Sequence, residues 1–171
     1  MKIVISEFMD DAAVDHLRTA FGAGNVLYDA KLVDQPVALA AAVADCDAFI
    51  VRNRTQVRGD LLAACRKARV IGRLGVGLDN IDVRACEARG MKVIPATGAN
   101  ALAVAEYVVG TAMMLRRASY QSTSDVASGK WPRNALSNGR ETMGAMIGLV
   151  GFGSIGQLTG RLARAVGMSV I

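Results

Sequence analysis

Five short runs of apolar and β-branched residues, at 2–5, 25–28, 48–51, 70–74 and 92–94, alternate with amphipathic stretches. This alternation restricts the chain more than any other feature. Strand, helix and next strand close as right-handed parallel crossovers, so the pattern specifies an α/β layered sheet. The intervening segments carry helix signals. Asp10 or Asp11 caps a helix whose apolar face is Val14, Leu17 and Phe21 and which stops at Gly22. Asp34 is expected to cap a second helix, with Pro36 in its first turn, where a missing N–H costs nothing. A third is expected over 59–67 and a fourth over 82–89, closed by Gly90.

Beyond Pro95 the pattern changes. Asn100 is expected to cap a long Ala-, Val- and Met-rich helix reaching about Arg117, with Met113 and Met114 as core packing. Residues 119–138 are polar and mixed, and Trp131-Pro132 marks a turn or loop. A second strand–helix unit follows: a strand at 146–150, a glycine turn, a helix from about Ser154 to Val166, then Gly167 and a strand at 168–171. The change near 97–100 divides the chain into domains of 1–98 and 99–171. There is no repeat of solenoid period and no low-complexity tract.

Composition narrows the classes. At 52% hydrophobic and 20% charged, disorder is not expected. The longest apolar run, 37–44, is too short to cross a bilayer, and Glu7, Asp10 and Asp11 break up any leader-like stretch. No membrane partner and a cytoplasmic location are therefore expected. The net charge is +5, but the basic residues are scattered without aromatic interleaving, so no nucleic-acid partner is expected. An anionic substrate or cofactor explains the excess equally well. Cys46, Cys65 and Cys86 lack metal-ligand spacing and are expected as buried small apolar residues; no metal site is expected. His16, between Val14 and Leu17, reads as a surface residue, and no catalytic triad can be assembled around it.

The sharpest motif is Gly151-Phe152-Gly153-Ser154-Ile155-Gly156. It follows an apolar strand and opens a helix, the context that turns a glycine pattern into a dinucleotide fingerprint. Gly151 permits the tight turn, Gly153 lets a diphosphate approach the backbone, and Gly156 allows close packing of helix on strand. Free amides and the helix dipole then favour phosphate at the N-terminus. The acidic partner that separates NAD from NADP is expected about 20 residues on, at or just past Ile171, so both remain open. Gly75-Val76-Gly77 has Asn80 where a third glycine belongs, so it is not a second fingerprint. Its amides can still receive a carboxylate, with a plain strand-to-helix turn as the alternative. Arg52, Asn53 and Arg54 follow a buried strand, where guanidinium groups suit planar recognition of carboxylate or phosphate; surface solvation is the alternative.

In order and spacing, VRNRT at 51–55, RLGVGLDNID at 73–82, ATGANALAVAEYVVG at 96–110 and GLVGFGSIG at 148–156 resemble the D-isomer-specific 2-hydroxyacid dehydrogenases. The similarity is to the phosphoglycerate dehydrogenase branch and runs over essentially the whole chain. It implies a flavodoxin-like parallel-sheet substrate domain followed by a bridging helix and the beginning of a Rossmann NAD-binding domain. Arg52 and Asn53 would line the substrate pocket, Val76 and Gly77 would offer amides to the substrate carboxylate, and Asn100 would contact substrate. Gly151, Gly153, Ser154, Ile155 and Gly156 would bind the cofactor, NAD with NADP not excluded. The implied substrate is a small anionic 2-hydroxy or 2-oxo acid, and the implied assembly a homodimer of the full-length protein. 3-Phosphoglycerate, sulfolactate and glyoxylate-like acids all fit, and Arg52 with Arg54 favours a doubly anionic one. The family's catalytic Arg, Glu and His have no counterpart in these 171 residues, which are therefore expected to be inactive alone. Two alternatives on this scaffold are a non-enzymatic dinucleotide-sensing corepressor and a truncated product without function.

Overall fold

The computed structural model describes residues 1–171, apart from the side chain of Ala118. The chain divides into two compact units, Met1–Thr97 and Gly98–Ile171.

In the first unit, strands β1 (Ile3–Ile5), β2 (Val26–Tyr28), β3 (Ala48–Val51), β4 (Val70–Arg73) and β5 (Lys92–Pro95) form one parallel sheet. Its order is β2-β1-β3-β4-β5, the flavodoxin-like arrangement, with the switch point between β1 and β3. Helices α1 (Asp11–Phe21), α2 (Pro36–Val43), α3 (Gly59–Ala64) and α4 (Val83–Ala88) make the crossovers.

Alternate strand residues face opposite sides, and both sides are covered. Val4, Phe49, Val51 and Ile71 pack with Leu39, Val43, Leu62 and Cys86 from α2, α3 and α4. Ile3, Ile5 and Ala48 pack with Val14 of α1 on the other face. Each fully buried Val, Ile or Phe contributes roughly 1.5–3 kcal/mol. Cys46, Cys65 and Cys86 are free and buried within the first of these clusters. Burial pushes the Cys46 thiol to about 11 and Cys65 to about 12, so neither is a thiolate at neutral pH.

Several boundaries differ from the expected ones. Asp10 does cap α1, accepting from the Ala12 amide, and Asp82 caps α4, accepting from Ala85. Asp34, however, ends a 3₁₀ turn (Leu32–Asp34), and Gln35 precedes α2; the Asp34 carboxylate is engaged by Arg54 instead. Helix α3 stops at Ala64, because Cys65 leaves helical geometry with ψ of 65°.

The second unit begins with α5 (Ala101–Arg116), followed by the short helices α6 (Thr123–Ala127) and α7 (Arg133–Leu136) within the expected loop region. Asn100 precedes α5, but its side chain makes no capping hydrogen bond. Strands β6 (Met146–Ile147) and β7 (Ser169–Val170) pair in parallel across helix α8 (Ser154–Ala165). Both are shorter than the apolar runs suggested. Among the described residues Val150 pairs with no strand, and it is fully exposed, although the Leu149 amide still bonds Ile171 O at 2.8 Å. Val109 of α5, Ala163 of α8 and Met168 form the core, against which Met113 packs. Met114 is exposed, contrary to its expected place in the core, because it lies one residue round the helix from Met113.

Among the described residues no helix is long and apolar enough to cross a membrane, and no group of three or more His, Cys, Asp or Glu is placed to hold a metal.

Candidate functional site

The carboxyl edge of the five-stranded sheet brings together the segments after β1, β3 and β4. At the centre lies Glu7, buried two residues after β1 at the switch point. Its Oε1 accepts from the amides of Arg52 (2.8 Å) and Thr55 (3.0 Å), and its Oε2 from those of Asn53 (3.1 Å) and Arg54 (2.9 Å). Burial alone would push this carboxyl upward. The amides of Arg54, Thr55 and Arg52 outweigh that and bring it down to about 2. A buried carboxylate thus replaces water as the partner of four successive loop amides.

The loop is gripped from its other side as well. Asn80, buried after β4, donates through Nδ2 to Thr55 O at 2.8 Å and to Arg52 O at 3.4 Å. The Val57 amide returns a bond to Asn80 O at 2.8 Å, and Ser6 Oγ meets Thr55 Oγ1 at 3.0 Å. Two loops from adjacent strands are thereby tied into one surface. Neither Glu7 nor Asn80 stands out in the sequence as a site residue. The available signal was an acid two residues after a wholly apolar central strand.

Arg52, Asn53, Val76 and Gly77 all lie exposed on this surface. The Arg52 guanidinium lies over the Phe8 ring, 5.7 Å from its centroid, and makes no hydrogen bond or ion pair among the described residues. Arg54 is different: it pairs with Asp34, with Nη1 donating to Oδ2 at 3.3 Å. That pairing matches the charge of Arg54 within the protein, whereas the Arg52 guanidinium has no such partner among the described residues. Arg52 alone offers an open guanidinium. The amides of Val76 and Gly77 also bond no protein group among the described residues. Beneath them Arg73 folds against Gly75, donating through Nη1 to Leu74 O at 3.0 Å, and a Cβ at Gly75 would lie 1.5 Å from that nitrogen. His16 is exposed on α1.

In the second unit, Asn100 is exposed ahead of α5, and the glycine turn joins β6 to α8. Gly151 has φ of 97°, a conformation costly for any residue with a Cβ. A Cβ at Gly156 would come within 2.4 Å of Gly151 O, so the third glycine lets α8 start against the turn's own carbonyl. A Cβ at Gly153 would meet nothing within 4 Å. The amides of Ser154, Ile155 and Gly156 open α8 without protein acceptors among the described residues, as the first turn of a helix requires. Open space beside exposed amides fits a diphosphate.

Residues 3–148 match the family model for the D-isomer specific 2-hydroxyacid dehydrogenase, catalytic domain. The chain belongs to the D-isomer specific 2-hydroxyacid dehydrogenase family. An (S)-sulfolactate dehydrogenase of Chromohalobacter salexigens is 51% identical over 169 residues, covering 99% of this chain and 53% of that protein. A hydroxypyruvate reductase of Thermotoga maritima is 39% identical over 129 residues, covering 75% of this chain and 42% of that protein. Among solved structures, the NAD⁺-bound 3-phosphoglycerate dehydrogenase of Entamoeba histolytica superposes with a TM-score of 0.72 at 26% identity, over 99% of this chain and 52% of that one. The chain spans about half the length of these relatives.

Proposed function

We propose that this chain supplies the substrate-binding unit and the opening of the dinucleotide-binding unit of an NAD-dependent dehydrogenase. Its substrate is a small 2-hydroxy acid with a second anionic group. The carrying observation is the turn Gly151–Gly156: its first glycine is left-handed, its third lies tight against Gly151 O, the space beside Gly153 is open, and the first amides of α8 have no protein acceptor among the described residues. The amides of Ser154 and Ile155 hold the diphosphate there, and the helix dipole adds to the attraction. NAD, when bound, supplies the hydride acceptor for C2 of the acid. Support for this cofactor comes from the NAD⁺-bound phosphoglycerate dehydrogenase that shares the fold.

On the first unit, the open amides of Val76 and Gly77 receive the substrate carboxylate. Arg52 receives the second anion, and Asn53 lines the same rim. Asn100 is assigned to substrate contact from the start of α5. The similarity to a sulfolactate dehydrogenase supports an acid whose tail is itself anionic.

The test is turnover by the full-length protein with NAD or NADP and sulfolactate, 3-phosphoglycerate or glycolate, read from the reduced nicotinamide. Binding of neither dinucleotide, with no turnover of any acid, would remove the proposal. Within it, Arg52→Ala is expected to raise KM for the doubly anionic acid by about tenfold or more, the loss of one charge-assisted contact. An unchanged KM across all three acids would clear Arg52 of that role.

A further inference from the structure

Glu7 and Phe8 are consecutive, and between them they hold both ends of Arg52. Glu7 accepts from the Arg52 backbone amide at 2.8 Å, while the Phe8 ring faces its guanidinium with Cζ 5.7 Å from the centroid. The two grips reach across the β1–β3 switch point, because Glu7 and Phe8 follow β1 and Arg52 follows β3. Phe8 is 61% exposed, so core packing does not account for it. Arg54, two residues on, is held by a carboxylate and so has its charge matched. Arg52 is held by a π face, which restrains the planar group and leaves its donors unspent.

Resting on the reading of Arg52 as the anion-binding arm, we propose that Phe8 is the positioning residue for that arm. It thereby sets selectivity for acids with a second anionic group over acids without one. The ring acts on substrate only through Arg52. Its removal leaves the carboxylate-binding amides of Val76 and Gly77 in place.

The experiment measures kcat and KM of the full-length protein for sulfolactate and for lactate, which lacks the sulfonate. The variants are Phe8→Leu, Phe8→Met, Phe8→Tyr, Arg52→Ala and the Phe8→Leu/Arg52→Ala double. Phe8→Leu and Phe8→Met are expected to raise KM for sulfolactate about two- to fivefold, the range of an exposed cation–π contact, shifting the kcat/KM ratio toward lactate. Phe8→Tyr, which keeps the π face, restores the ratio. In the Arg52→Ala background, Phe8→Leu adds nothing. A ratio unmoved by Phe8→Leu and Phe8→Met while Arg52→Ala moves it would overturn the positioning role and leave the Arg52 reading intact. So would an equal shift from Phe8→Leu with and without Arg52. A ratio unmoved by Arg52→Ala itself would instead remove the Arg52 reading, and the inference with it.

Discussion

Alanine at Gly153 is expected to leave the protein folded and to weaken dinucleotide binding about 10- to 100-fold, the loss of one or two charge-assisted contacts. Gly153 has φ of −76°, which alanine adopts freely, and its added methyl would meet no protein atom within 4 Å. The methyl would instead project into the space assigned to the diphosphate. Alanine at Gly156 is the contrasting case. Its Cβ would press to 2.4 Å from Gly151 O, a backbone atom that cannot swing aside. The turn must move, at a cost of about 1–3 kcal/mol or more, and melting temperature and affinity fall together. Calorimetric titration with NAD beside thermal melting separates the two variants. Parental affinity in Gly153→Ala would place the diphosphate somewhere else.

Acidification supplies the second large effect. Glu7 ionises near 2 in the folded protein against 4.5 in its ordinary state, so the unfolded chain takes up its proton first. Its contribution is fully present above about pH 5 and is lost as the pH falls toward 2, at roughly 3 kcal/mol in all. Glu7→Gln keeps the shape but turns an NH₂ toward two of the four amides. Donors then face donors, and about 2–4 kcal/mol of stability is expected to go at neutral pH. The variant also loses this part of the acid dependence. Urea unfolding followed by circular dichroism at several pH values, for parent and variant, is the measurement. An acid slope unchanged in Glu7→Gln would assign the titration to other carboxylates.

The fold was legible because its information is local and periodic. Apolar runs announced all five strands of the first sheet, and the Asp10-Asp11 pair announced the start of α1. The glycine turn was legible too, since its requirements are steric and confined to six residues. The organisation of the rim was not. Glu7 is 45 residues from Arg52 in sequence, and nothing at either position tells that four amides will converge on one carboxylate. Likewise, Asp34 had the sequence of a helix cap, and only the tertiary fold brings Arg54 to claim it. Propensity governed the elements, and long-range polar pairing governed the loops between them.

All three sulfhydryl groups sit in the first unit, sealed inside its sheet–helix core, and the second unit has none. Within this chain an alkylating reagent therefore meets no reactive sulfur until that sheet opens. The rate at which these three thiols take up label becomes a selective clock for breathing of the first unit, running silently past whatever the second does.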